Sequence, residues 1–335
     1  MTTRATALLL GLFLPCAALA QGLQLSCRLE PESAPVGARQ EAVVSLANVG
    51  SQAVELPRLA FDRQLVSLEV QLADGPQAIY ERIHPDPYTP RADWPRASLA
   101  PGEKWELRIG LPALVAGPVS VTAHLARPLA GHKGLLEHLS AAPAKGEVVR
   151  DAAGNDTVEL RFITTHGPMR ARLFPRLAPA TCLHIAELIL GGTAAEEGVL
   201  RPGFYDGLTF HRVRPDFMIQ GGDPEGDGRG GPGWSMPGEQ QAAPVPEQAK
   251  HLPGRLSMAK SQDKDSGGSQ FFVCTGTPSY LDGVHTVFGE LVKGQDVAHT
   301  ISVVDTVEVP GGEKSRPLTP VIIKTLRVVP AKSAQ

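Results

Sequence analysis

The sequence predicts a mainly β chain in two domains, a β-sandwich followed by a β-barrel capped by two helices. Three observations carry this. Short strand-like runs separated by turn signals recur along the chain, and 30 prolines and 35 glycines punctuate it. Helical periodicity shows in only two places. At 335 residues, two domains are the natural expectation.

Residues 1–20 read as a secretory signal. Arg4 supplies the short positive region, 5–15 are largely apolar, and Ala18-Leu19-Ala20 is a small-residue cleavage site before Gln21. The apolar run is short for a membrane span, although an uncleaved anchor is the rival reading. Cys16 suggests a lipoprotein, but Pro15 stands where a small residue is expected. The chain is therefore expected to be exported, to the periplasm or beyond, with no stable span after cleavage. Its net charge of −3 offers no basic field that would recruit nucleic acid or an anionic membrane. Removing the signal leaves Cys27, Cys182 and Cys274. An odd number of widely spaced cysteines is no disulfide framework, though a single bridge stays open.

From 21 to 127 the strand candidates are 23–29, 41–47, 65–72, 105–109 and 119–125. Pro35-Val36-Gly37, Asn48-Val49-Gly50, Asp74-Gly75-Pro76 and Pro101-Gly102-Glu103 break them. Their spacing suggests an immunoglobulin-like β-sandwich, as architecture only, because no Cys-Trp-Cys pattern is present. The proline-rich stretch 80–95 reads as a long loop. Tyr80, Tyr88 and Trp94 either pin it to the sandwich or form a binding patch. Residues 128–154 look like a linker, with one or two helical turns over 135–139. Asn155-Asp156-Thr157 is a glycosylation sequon, relevant only in a host that reads it.

The second domain, 155–330, opens with an alternating strand over 157–163. His166-Gly167-Pro168 turns the chain and 169–174 returns beside it. A helix is expected over 179–190, through Leu183, Ile185, Ala186, Ile189 and Leu190, with Gly191 and Gly192 as its stop. A second is expected over 295–304, and 321–329 closes the domain as a strand. Between them lies the stretch Phe210 to Gly222, two short extended runs around Arg214-Pro215-Asp216. Alternation puts Met218 and Gln220 on one face and Ile219 on the other. In the later run, Gln270 and Phe272 share one face, Phe271 and Val273 the other.

Five blocks in this half resemble one family. They are Phe210-His211-Arg212-Val213, Asp216-Phe217-Met218-Ile219-Gln220-Gly221-Gly222-Asp223, Leu256-Ser257-Met258-Ala259, Gly268-Ser269-Gln270-Phe271-Phe272-Val273-Cys274-Thr275, and Leu281-Asp282-Gly283-Val284-His285-Thr286-Val287-Phe288-Gly289. Blocks and order resemble the cyclophilin peptidyl-prolyl cis-trans isomerases, over about 156–329. The resemblance implies an eight-stranded antiparallel barrel with two capping helices, and an enzyme acting on X-Pro bonds of exported proteins. Its partners would be proline-containing proteins or peptides.

Turning a peptide bond breaks amide resonance, a barrier of about 18–20 kcal/mol. The cis and trans forms of X-Pro differ by only about 1 kcal/mol, so the step is slow rather than uphill. No metal, nucleophile or cofactor is needed. What is needed is a fixed donor that favours the twisted state, whose nitrogen lone pair has left conjugation. The resemblance gives that catalytic role to Arg212, with Gln220 holding the substrate backbone. Taken alone, Arg212 reads as a surface arginine in a salt bridge. Phe217, Met218, Phe272 and Leu281 would form the apolar pocket for the proline ring, with His285 at its rim. Read singly, these are barrel core and a turn histidine. Ala259 would meet an extended peptide through its backbone. Gln270 is either a substrate contact or a structural amide, and His211 packs beneath the site.

Three departures matter. Tyr280 stands where many members of the family carry tryptophan, the residue associated with tight cyclosporin binding, which leaves inhibition by that drug in doubt. Lys260 replaces a frequent asparagine, and 261–267 and 191–201 are charged or long. Two decoys are dismissed. Gly226-Asp227-Gly228-Arg229-Gly230-Gly231 fits G-x-G-x-x-G without a helix behind it. Asp223, Glu225 and Asp227 start a calcium-like loop whose twelfth position is Trp234 rather than Glu. The ten histidines show no metal-ligand spacing. A binding module that grips proline segments without turnover is the rival function.

Overall fold

The computed structural model describes residues 22–57, 66–81, 96–128, 136–191 and 203–332. The expected signal segment, most of the proline-rich loop with Tyr88 and Trp94, and most of 191–201 lie outside those residues.

In chain order, the first half runs through Leu23–Glu30 (β1), Ser33–Pro35 (β2), Arg39–Asn48 (β3), Val54–Pro57 (β4), Val66–Leu72 (β5), Gln77–Tyr80 (β6), Arg96–Leu99 (β7), Lys104–Pro112 (β8), Gly117–Pro128 (β9), Leu136–Ser140 (β10) and Ala144–Val149 (β11). β1, β3 and β8 form one antiparallel sheet. A larger sheet runs β2-β11-β9-β5-β6, and β10 also pairs with β9. β4 and β7 make a separate ribbon. Alternation explains the burial. Leu23, Leu25, Ala42, Val44 and Leu46 of the smaller sheet share a core with Leu68, Val70, Val121 and Ala123 of the larger one.

The stretch expected as a linker carries β10 and β11. Helical turns are expected over 135–139, but Leu136 to Ser140 instead pairs residue for residue with Pro128 to His124 of β9. β11 then continues along the same edge, Ala144 opposite Val121. Pairing to a long neighbour has overridden the helix-like leucine spacing, as tertiary context routinely does.

The second half comprises Thr157–Thr164 (β12), Gly167–Leu173 (β13), Pro179–Leu190 (α1), Arg212–Arg214 (β14), Met218–Gly221 (β15), Arg255–Met258 (β16), Phe271–Cys274 (β17), Val287–Lys293 (β18), Gln295–Ser302 (α2), Thr306–Glu308 (β19), Lys314–Pro317 (β20) and Ile323–Ala331 (β21). Eight strands make one antiparallel sheet, in the order β14-β15-β17-β16-β18-β13-β12-β21. The sheet curls but does not close into a full ring of paired strands, which corrects the expectation of a closed barrel. Its end strands, β14 and β21, are joined through the segment before β14. Thr209 bridges both Asp223 and Ile322, and Gly207 N donates to Ile323 O at 2.8 Å.

The two halves share one apolar core. α1 is buried from Pro179 to Ile189, because strands β5, β6, β8 and β21 all lie against it. The Tyr80 hydroxyl donates to the Glu187 carboxylate of α1, and Arg176 pairs with Asp74 at 2.7 Å. Cys27, Cys182 and Cys274 are all unpaired thiols. Among the described residues no helix is long and apolar enough to cross a membrane.

Candidate active site on the outer face of the curled sheet

The alternation of β15 and β17 sorts their side chains onto two surfaces. Ile219, Phe271 and Val273 enter the main core. Met218, Phe272 and Cys274 form a second, smaller apolar cluster on the opposite face, against which Phe217, Ala259 and Leu281 pack. Met218 faces Cys274 and Gln220 faces Phe272 across the ladder. One strand period therefore builds both the core and the floor of a recess.

The turn between β14 and β15 lifts Phe217 beside this floor. Asp216 lies at φ 54°, a left-handed conformation that aspartate tolerates better than most residues. The 275–276 backbone closes tightly over it: Thr275 N donates to Phe217 O at 2.9 Å. Gly276 is required there, since a Cβ would collide with the Asp216 carbonyl oxygen.

A polar row edges the recess. Arg212 Nη1 donates to Gln220 Oε1 at 3.3 Å, Gln220 Nε2 donates to Gln270 Oε1 at 2.9 Å, and Gln270 Nε2 donates to Gly230 O at 2.9 Å. Each amide thus has its orientation set by the next. The guanidinium also stands 5.8 Å from the centre of the Phe217 ring. Its other edge meets Glu313, with Nε donating to Oε1 at 2.8 Å and Nη2 to Oε2 at 3.1 Å. That contact holds the Glu313 carboxyl below its ordinary value.

Two histidines bracket Phe272. His251 stacks on it, ring centres 5.9 Å apart, and His285 meets it edge-on at 5.6 Å. His251 is fully buried. Its backbone N and its Nδ1 lie 2.8 and 2.9 Å from the same oxygen of Asp282, and its Nε2 lies 3.0 Å from Ser257 Oγ. His285 Nδ1 lies 2.9 Å from Met258 O. Burial lowers the pKa of both histidines and of His211. His211 does lie buried beside Arg212. Burial pushes the Cys274 thiol up to about 12, so it is an inert hydrophobe at neutral pH.

Beyond the amide row lies a cavity of about 650 Å³, lined by Gln220, Gln270, Ala259, Lys260, Trp234 and residues 228–233. Its wall is the glycine-rich loop that contains Gly226 to Gly231. The Asp223 carboxylate folds that loop by accepting from the backbone N of Glu225 at 2.8 Å, Asp227 at 3.1 Å and Gly228 at 2.5 Å.

All nine expected site residues come together on this face. Arg212, Gln220 and Gln270 form the polar row; Phe217, Met218, Ala259, Phe272 and Leu281 form the recess; His285 borders it. Gln270, left open between contact and structure, both holds Gln220 and lines the cavity. Glu313, Asp282 and His251 were not anticipated. Their partners are 101 and 31 residues away in sequence, and no local pattern marks such pairs.

The family model for "Cyclophilin type peptidyl-prolyl cis-trans isomerase/CLD" matches residues 159–328. A peptidyl-prolyl cis-trans isomerase of Synechococcus elongatus is 45% identical over 127 residues, covering 38% of this chain and 75% of that protein. Peptidyl-prolyl cis-trans isomerase B of Bacillus subtilis is 45% identical over 130 residues, 39% of this chain and 80% of its own length. Among solved structures, a Cryptosporidium parvum cyclophilin-type isomerase, crystallised in the presence of the dipeptide Ala-Pro, is 28% identical. It covers 51% of this chain and 98% of its own, at a TM-score of 0.42.

Proposed function

Because the chain belongs to the cyclophilin-type peptidyl-prolyl cis-trans isomerase family, we propose that its isomerase site is the recess and polar row around Arg212. The observation that carries this reading is the fixed guanidinium at the edge of an apolar recess. The proline ring seats against Phe217, Met218, Phe272 and Leu281, with His285 at the rim. Gln220 binds the backbone on one side of the bond while the other side turns. Ala259, at the end of β16, meets the extended peptide.

Arg212 has five N–H donors, three of which are taken by Glu313 and Gln220. The two that remain are available to the proline nitrogen when the amide is twisted. The planar ground state has no free lone pair there, so the hydrogen bond forms only near the top of the barrier. Such differential stabilisation is what accelerates a reaction. No proton transfer and no cofactor enter the scheme.

We further place the substrates among exported proteins, on the composition of residues 1–20, with cleavage after Ala20. Intact mass of the protein from its host tests this: a mature chain starting at Gln21 is expected, and a retained Met1 would overturn it. The two core-sharing sheets of the first half support an immunoglobulin-like sandwich ending near the turn at Asp151. Tyr280, exposed at the rim in the position of the family's tryptophan, supports weak inhibition by cyclosporin.

The central test is exchange of an Ala-Pro peptide, followed by NMR with the full mature chain and with Arg212→Ala. A clear wild-type acceleration that falls about 10²-fold in the variant is expected, the usual scale for losing one preorganised donor. A folded wild type without acceleration would sink the enzyme reading in favour of a binding module.

A further inference from the structure

Arg212 does not orient itself. It is about a third exposed, with a side-chain accessibility of 33%, and an arginine so placed ordinarily samples several rotamers. Here two of its donors are gripped by the carboxylate of Glu313 in a fork geometry. Glu313 reaches it from a hairpin outside the main sheet. β19 and β20 pair as Thr306 to Pro317 and Val307 to Arg316, and Val309 N donates to Glu313 O at 2.9 Å. Gly312 N in turn donates to Val309 O at 3.0 Å, which closes the hairpin tip just before Glu313. β20 lies against β14, so the carboxylate is delivered directly to the arginine's strand.

We infer that Glu313 is the positioning residue of the isomerase site, holding the guanidinium so that its two free N–H donors face the turning peptide bond. The inference rests on the placement of Arg212 in the catalytic role. Glu313 takes the Nε edge and one Nη2 donor, and Gln220 takes one Nη1 donor, which fixes the plane of the fork from both ends. Removing the carboxylate frees the side chain to rotate, so the donor must be ordered again in each turnover. That penalty falls on the turnover step, because the planar ground state makes no bond to the donor. Peptide binding in the recess of Met218, Phe272 and Leu281 does not involve Glu313.

The test is a double-mutant cycle on the full mature chain, reading kcat and KM for an Ala-Pro peptide. Ordering one long side chain corresponds to about a fivefold effect. Glu313→Ala is therefore expected to lower kcat about fivefold with KM unchanged. Glu313→Gln, which keeps the length and one acceptor, recovers part of the loss. In the Arg212→Ala background, Glu313→Ala is expected to have no further effect, which a merely structural role would not produce. The Arg212 Nε–H resonance, sharp in the wild type, is expected to broaden in Glu313→Ala. A wild type that accelerates exchange, with Glu313→Ala equally fast or faster, overturns the positioning role alone. A wild type with no acceleration overturns the enzyme reading and this inference with it. Equal losses in the presence and absence of Arg212 also overturn it.

Discussion

Asp282 ties together two segments that form the wall of the recess, and removing its carboxylate tests that account of the site. One oxygen accepts from both the backbone N and the ring Nδ1 of His251. Asp282 itself sits in the turn that carries Leu281 and His285, where His285 N donates to Leu281 O at 3.1 Å. His251 is 0% exposed, while the Asp282 side chain is 20% exposed, so a lost acceptor is replaced at most by water entering at the vacated carboxylate. Asp282→Ala leaves two buried donors unpaired at about 1–3 kcal/mol each, and a total near 3 kcal/mol is expected after relaxation. Asp282→Asn keeps an oxygen at the same place, so its loss should stay at or below about 1 kcal/mol. Urea unfolding of both variants at pH 7.5 reads these numbers. The recess should suffer in proportion, because His251 stacks on Phe272. Isomerisation kcat/KM is expected to drop about tenfold in Asp282→Ala, the equivalent of about 1.4 kcal/mol, and to change little in Asp282→Asn. Equal damage from the two substitutions would refute the reasoning, since it would make the charge rather than the acceptor the source of stability.

Two further predictions concern acid and the start of α1. His211, His251 and His285 are all held below their ordinary value near 6.5 by burial, so the unfolded chain takes up these protons first. The stability they confer is complete above that pH and is lost as pH falls towards their folded values. The slope is at most about 4 kcal/mol per pH unit, three groups at about 1.4 each. A urea midpoint that stays flat from pH 7.5 to 5 would contradict this. α1 has no side-chain cap of its own at Ala178. Glu239 supplies one from a distant loop, accepting from Ala180 N at 3.0 Å and from Thr181 N and Oγ1 at 2.7 Å. Glu239→Ala is expected to destabilise by about 2 kcal/mol, the upper end for a lost cap, and Glu239→Gln by less; an unchanged midpoint in Glu239→Ala would refute the cap. Burial raises the Glu239 pKa, so its stabilisation is full below about 4.5 and declines as pH rises through the folded value. This opposes the histidine trend, one group against three.

How much of this was legible in the chain depends on range. The opposite facing of Met218 and Ile219, or of Phe271 and Phe272, follows from strand period alone. α1 was readable because proline at its start and glycine at its end bound an apolar run. The nine site residues were readable only through the family's motifs, since each taken singly is ordinary core or surface. Glu313 was not readable. It sits in a Pro-Gly-Gly-Glu hairpin tip that resembles any solvated turn, and its meaning depends on a strand 101 residues earlier. The leucines of 135–139 misled because their spacing suits a helix, while the free edge of β9 decided the outcome. The ring is not a full one because 207–210 and 321–323, between its end strands, are joined by a single bridge and a few backbone hydrogen bonds rather than by a strand pair. Alternation in the sequence does not mark that distinction.

The burial of α1 on every side has a consequence for how this protein can be divided. A helix that merely caps a sheet keeps one wet stripe, whereas this one is apolar or internally bonded around its circumference. The second half carries every candidate catalytic group, yet its outer helix is roofed by strands that precede it in the chain. Cutting between the halves would uncover that roofed surface and turn a core element into a sticky exterior. The first half is therefore part of the enzyme's solubility, and helix α1 is closed to any other molecule while the roof is on.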